Sequence, residues 1–367
     1  MSSRPTHGTA AAAPVRAVVA DDSPTSRALL VAVLSSCGID VVGEAADGAG
    51  AVDLVLALGP SVVVMDVEMP TVDGIEATRR IMARRPTPIV IVTSSLRSDD
   101  VAVGLRATEV GALTVQPKPP PLDSPGFDAE TQRFCRLVKA MADVKVVGRR
   151  GGRSARRSSP GRPHPTRPAQ RIEVIGIGAS TGGPVALQRL LNVLPADLRA
   201  PLVVVQHIPD GFAEGLVRWL SAGTAMGLAI ARDGDRLVDG RVYVAAPGTQ
   251  LTVEPERVLR LRPDPPVGGF CPSVSTLLAS MAASFGPAAV GVVLTGMGVD
   301  GLEGARELHE RGGLVLAQDE ETSVVFGMPR AITSHGLADL VGTTDEIAEE
   351  LVRLTGRRPT GAGGGRR

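Results

Sequence analysis

The stretch Ile172–Pro184, IEVIGIGASTGGP, decides the fold of the second half of the chain. An apolar run of strand length ends in small residues, and a Gly-Gly-Pro sequence then opens a helix, since Pro suits the first helical turn. Further apolar runs follow downstream: PLVVVQH, RVYVAAP, AVGVVLTG and GLVLAQD. Segments of helical period lie between them, and this βα rhythm predicts a parallel sheet with helices on both faces. The piece QLTVEPERVLRLRP reads as a hairpin inserted into that pattern.

The same rhythm occupies the first third of the chain, in VRAVVA, DVVG, SVVVMD, PIVIVT and ALTV. Its first helix is punctuated by Ser23 as cap, Pro24 at the first helical position and Gly38 at the end. Between the two halves, DAETQRFCRLVKAMADV has the period of an amphipathic helix connecting them. The Arg-, Gly-, Ser- and Pro-rich run that follows buries too little apolar surface to fold. The resulting organisation is a tail (1–14), a first α/β domain (15–121), a helix and flexible basic linker (122–171), a second α/β domain (172–355) and a tail (356–367).

Bulk composition narrows the function. The 367 residues carry 39 basic and 39 acidic side chains, so the whole molecule has no polyanion-binding signature. One Trp and one Tyr leave no stacking platform for single-stranded nucleic acid. The basic linker reads as a solvated tether, and no nucleic-acid partner is expected. Cys37, Cys135 and Cys271 are few and widely spaced. They fit neither a disulfide framework nor a zinc site, and so point to a reducing, cytoplasmic setting. No apolar run is long enough to span a bilayer, so no membrane insertion is expected.

In a parallel α/β sheet, function collects at the carboxyl ends of the strands. In the first domain those ends carry Asp21-Asp22, Asp66, Thr93 and, after the fifth run, Lys118. Three converging carboxylates call for a cation with hard-oxygen preference, which predicts Mg²⁺. A hydroxyl and an ammonium beside them supply the donors that a phosphoryl group on Asp66 would need.

In the second domain, Gly176-Ile-Gly178-Ala-Ser180-Thr-Gly182-Gly183 has two readings. A dinucleotide loop requires an acid about twenty positions on, at the end of the next strand. That strand ends instead in Gln206-His207. The other reading is a tight turn that exposes the Ser180 hydroxyl at a helix N-terminus, and it needs a base. Of the five histidines, His207 alone follows a buried-looking strand next in sequence to the Ser180 strand. Asp300, in the Gly-rich turn of GVVLTGMGVDG, can orient the base or cap the helix that follows it. Asp319 is the rival for the orienting role.

These motifs resemble known families. VVADDS, MDVEMPTVDG, IVTSS and PKP are similar to a response-regulator receiver, a flavodoxin-like fold. IGIGASTGGP, VVVQHIPDGF, VYVAAPG, VGVVLTGMGVDG and AQDEETSVVFGMP resemble the Rossmann-like catalytic domain of the chemotaxis protein-glutamate methylesterases (CheB). The resemblance implies a phosphorylation-activated hydrolase that demethylates glutamyl methyl esters of chemoreceptors and deamidates glutamines. It implies Asp66 as phosphoacceptor for a histidine kinase of the CheA type, with Mg²⁺ held by Asp21, Asp22, Asp66 and the Glu68 backbone, and Thr93 and Lys118 sensing the phosphate. It further implies a Ser180–His207–Asp300 triad with Thr181 and the Met297 N–H near the oxyanion, no cofactor in the catalytic domain, and a monomer. Two departures stand out. Val115 replaces the usual aromatic of receivers, and Phe270 and Ser275 flank Pro-Ser-Val where the methylesterases often have His and Asp.

Overall fold

The computed structural model describes residues 14–146 and 171–355. Both expected tails and most of the expected linker lie outside these residues. Among the described residues, no helix is long and apolar enough to cross a membrane.

The first unit alternates strand and helix: β1 (Arg16–Ala20), α1 (Pro24–Ser36), β2 (Asp40–Ala45), α2 (Gly48–Leu58), β3 (Val62–Asp66), α3 (Gly74–Arg84), β4 (Ile89–Thr93), α4 (Ser98–Glu109), β5 (Thr114–Pro117) and α5 (Phe127–Ala142). The sheet order is β2-β1-β3-β4-β5, the flavodoxin-like arrangement. Strands β3 and β4 are buried along their whole length, which explains their unbroken Val and Ile runs. Helix α1 starts and stops where its punctuation predicts. The Ser23 hydroxyl accepts from the Ser26 N–H, and Gly38 takes φ +73° just beyond the helix.

Helix α5 lies in the segment expected to connect the halves, and it buries Phe134, Cys135, Val138 and Met141. It packs on β3 and α1. This packing corrects the reading of the cysteines: Cys37, at the end of α1, is disulfide-bonded to Cys135 on α5, and Cys271 is free. The partners lie 98 residues apart in sequence, with Cα atoms 6.3 Å apart. Spacing along the chain carried no sign of the pairing, which only the seating of α5 beside α1 creates. The cysteine pattern therefore no longer argues for a reducing compartment.

The second unit comprises β6 (Val174–Ala179), α6 (Gly183–Val193), β7 (Leu202–Gln206), α7 (Ala213–Ser221), β8 (Gly227–Ile230), β9 (Arg241–Val244), β10 (Gln250–Glu254), β11 (Val258–Arg262), α8 (Val274–Phe285), β12 (Ala289–Val293), α9 (Leu302–Glu310), β13 (Leu314–Gln318), α10 (Met328–Ser334), β14 (Leu340–Gly342) and α11 (Thr344–Leu354). Seven strands form one sheet in the order β14-β13-β12-β6-β7-β9-β8, and every neighbouring pair is parallel. Helices α8, α9 and α10 share a core on one face, where Leu277, Met281, Leu308 and Ile332 meet Val174, Val203 and Val293. Helices α6 and α11 pack together elsewhere on the domain. The predicted hairpin is β10–β11, antiparallel from Gln250↔Arg262 to Glu254↔Val258.

Strand order reverses at β6. The chain moves from β6 to β7 on one side, then returns to lay β12 on the other. In open α/β sheets such a switch point is where ligand sites form, here at the carboxyl ends of β6, β7 and β12. Gly178 in β6 lets α8 approach the strand there. A Cβ at this position would sit 2.2 Å from Val274 Cγ1, at the first residue of α8.

Candidate active site and acidic cluster

Ser180 and Thr181 follow β6, His207 follows β7, and Met297 and Asp300 lie in the turn after β12, while the rival Asp319 follows β13. Register pairs Ala179 of β6 with Gln206 of β7, so Ser180 and His207 leave the sheet side by side. The spacing of adjacent strands is about 4.8 Å. The His207 N–H donates to Ala179 O at 2.9 Å, and the Ser180 N–H donates to Thr295 O at 3.0 Å beyond β12. Ser180 O accepts the Gly183 N–H at 2.8 Å as α6 begins. Gly296 passes so close that a Cβ on it would lie 2.8 Å from Ser180 Cβ. The glycines of this turn therefore serve close packing around a serine.

Asp300 contacts His207 directly: His207 Nε2 and Asp300 Oδ2 are 2.9 Å apart. The other donors to this carboxylate come chiefly from the N-terminus of α8. The Val274 N–H donates to Oδ2 at 2.8 Å. Oδ1 accepts from the Ser273 hydroxyl at 2.8 Å, the Ser275 N–H at 3.0 Å and the Gly301 N–H at 2.9 Å. Burial works to raise the Asp300 pKa. The His207 hydrogen bond and charge, together with the Ser275 and Val274 N–H groups, outweigh it and bring the value down to about 2.

Of the two sequence candidates for the orienting acid, only Asp300 touches His207. Asp319 is engaged by its own turn, accepting from the Thr322 N–H at 2.9 Å and the Thr322 hydroxyl at 2.6 Å. Asp300 also meets a helix end other than the expected one. Helix α9, which follows it in sequence, has Gly301 as N-cap and no side-chain cap, whereas the start of α8 surrounds the carboxylate.

The Ser180 hydroxyl has no hydrogen-bond partner among the described residues, His207 included. His207 Nδ1 is buried without a partner. The N–H groups of Thr181 and Met297 likewise take no partner among the described residues, while Thr181 O accepts the Thr295 hydroxyl at 2.9 Å. Two residues take roles here that sequence reasoning did not assign. Buried Gln206 ties the strand ends together, its Nε2 donating to Ser180 O at 2.8 Å and His207 O at 3.0 Å. Phe270 stacks on the His207 ring. Gln206 was visible in the sequence, but there it showed only that the strand does not end in an acid.

In the first unit, Lys118 Nζ lies 2.7 Å from both Asp21 Oδ2 and Asp66 Oδ2. Asp21 is fully buried and also accepts from the Ser26 hydroxyl at 2.6 Å and the Ser23 N–H at 3.0 Å. Asp66 Oδ1 accepts the Val67 N–H at 2.7 Å. Exposed Asp22 completes a group of three carboxylates whose nearest oxygens all lie within 4.8 Å of one another, a geometry able to hold a metal ion. Burial is the main influence raising the Asp66 pKa, with Asp21 adding to it and Lys118 opposing it. Burial alone would lower Lys118, but its bonds to Asp21 and Asp66 leave it raised. One ammonium faces three acidic groups, so a divalent cation fits the remaining charge. Glu68 is exposed in the loop after β3. The Thr93 hydroxyl is engaged with the Ser95 backbone, accepting its N–H at 3.2 Å. Val115 is buried in β5.

A response regulator receiver model matches residues 17–123, and a CheB methylesterase model matches residues 175–351. A protein-glutamate methylesterase/protein-glutamine glutaminase of Myxococcus xanthus is 47% identical over 344 residues, covering 92% of this chain and 96% of its own. One from Anaeromyxobacter dehalogenans is 48% identical, covering 92% of this chain and 98% of its own. The crystal structure of the Thermotoga maritima CheB methylesterase catalytic domain is 36% identical, covering 50% of this chain and 98% of that one, with a TM-score of 0.49. The chain belongs to the CheB family of receiver-linked protein-glutamate methylesterases/protein-glutamine glutaminases.

Proposed function

We propose that the chain hydrolyses glutamyl methyl esters of chemoreceptors, and deamidates selected glutamines, through Ser180, His207 and Asp300. The observation that carries this reading is the 2.9 Å contact between buried Asp300 and Nε2 of His207, which leaves its strand beside Ser180. With the Nε2–H donating a hydrogen bond to the Asp300 carboxylate, Nδ1 presents a lone pair and is the basic atom. His207 takes the Ser180 proton as Oγ attacks the ester carbonyl. It then returns that proton to the departing methoxide, which leaves as methanol. Water, deprotonated by the same imidazole, then attacks the acyl-serine, and the proton passes to the departing Ser180 Oγ as glutamate is released. The free N–H groups of Thr181 and Met297 supply donors for the oxyanion, each worth about 10²- to 10³-fold in rate. The same sequence with ammonia as leaving group accounts for deamidation.

The first unit supplies control. In this reading Asp66 accepts phosphate from a histidine kinase with Mg²⁺ held by Asp21, Asp22, Asp66 and the Glu68 carbonyl. Mg²⁺ would supply charge neutralisation for phosphoryl transfer. Lys118 already bonds Asp66 and is available to the phosphoryl group, and Thr93 would exchange its bonds with Ser95 for one to phosphate. The test is methanol release from methylated receptors with and without a phosphodonor. Ser180→Ala should abolish release, and continued release at the wild-type rate would overturn the assignment.

A further inference from the structure

Phe270 lies flat on the His207 imidazole. The Phe270 and His207 ring centroids are 3.9 Å apart and their planes differ by 6°. The backbone beneath the ring is well fixed. Val267 and Phe270 exchange N–H···O bonds of 3.0 Å in both directions across Gly268 and Gly269, whose φ values of +60° and +88° close the tight turn. Buried Gln250 donates from Nε2 to Phe270 O at 3.1 Å, while its Oε1 accepts the Ser273 N–H at 2.8 Å. Ser273 in turn donates to Asp300. One connected set of bonds thus holds both the carboxylate and the aromatic ring against His207.

We infer that Phe270 is a positioning residue for His207, an inference that rests on the methylesterase reading. The imidazole has one hydrogen bond among the described residues, at Nε2, and one bond leaves a flat ring free to tilt about its axis. A parallel ring at stacking distance removes that freedom and keeps Nδ1 in a single plane. The Phe270 face also carries the negative side of its quadrupole toward the imidazole, where positive charge develops while His207 holds the Ser180 proton. Both effects act on the transition state, so they belong in kcat. A residue that merely walled the substrate site would act on KM.

The test uses the full-length protein as wild type, Phe270→Leu and Phe270→Tyr. Methanol release from methylated receptor should show kcat reduced roughly 3- to 30-fold in Phe270→Leu, with KM little changed. Phe270→Tyr, which keeps the ring, should restore kcat. In NMR spectra the His207 ring protons should be displaced upfield in wild type and Phe270→Tyr, and lose that displacement in Phe270→Leu. An unchanged kcat in Phe270→Leu, a rise confined to KM, failure of Tyr to rescue, or ring protons indifferent to the substitution would each overturn the inference. Absence of methanol release from the wild type would overturn the methylesterase reading instead, and the ring-proton shifts would still decide the stacking.

Discussion

Asp300 shows how much one side chain depends on its surroundings. Its carboxylate is buried, yet three backbone N–H groups, a serine hydroxyl and an imidazole keep it ionised. Its pKa of about 2 lies below the ordinary 3.8, so the unfolded chain binds its proton more readily than the native one. The stability this contributes, on the order of 2 kcal/mol, is fully present above about pH 4 and lost as pH falls toward 2. Asp300→Asn should therefore flatten the acid limb of a denaturation-against-pH series. It should also lower kcat by about 10³- to 10⁴-fold, because the imidazole loses its fixed orientation and counter-charge. Asp66 has the opposite sign. Burial raises its folded pKa, so the ionised group costs stability once pH exceeds the ordinary carboxylate range. Asp66→Asn should accordingly raise the melting temperature at neutral pH, measured calorimetrically without Mg²⁺.

Among the elements, α8 links core and chemistry. Its first turn supplies donors to Asp300, and its apolar face, with Leu277 and Met281, joins the core against the sheet. Contact with β6 is possible because Gly178 has no side chain facing Val274. Gly178→Ala should displace the start of α8, cost about 1–3 kcal/mol by overpacking and reduce activity together with stability, as read by urea denaturation and methanol release. Legibility in the sequence also divides by element. Interior strands such as β3, β4, β7 and β12 were readable because burial on both faces demands unbroken apolar runs. The unread strands, β8 and β14, are the two edges of the seven-stranded sheet. They are only four and three residues long and partly exposed, so neither length nor period distinguishes them from loop.

Considered as a whole molecule, the chain carries two parallel sheets, one bearing the Asp21, Asp22 and Asp66 cluster and the other the contact of His207 with Asp300. If phosphorylation of Asp66 governs the hydrolase, a phosphodonor with Mg²⁺ should raise methanol release from the wild type. Asp66→Asn should eliminate that increase, and so should chelation of Mg²⁺. A phosphodonor response that survives Asp66→Asn would place the phosphorylation elsewhere.

The sequence by itself determined the two α/β folds and the family, and it put Ser180, His207 and the acidic residues at strand ends. These follow from local apolar runs, turn residues and the positions of functional groups at strand termini. Tertiary structure decided what depends on residues distant along the chain. It selected Asp300 over Asp319, surrounded it with the start of α8, paired Cys37 with Cys135 and laid Phe270 on His207. Each of these is a contact between segments that no periodicity relates, and so it exists only once the sheet and its helices have packed.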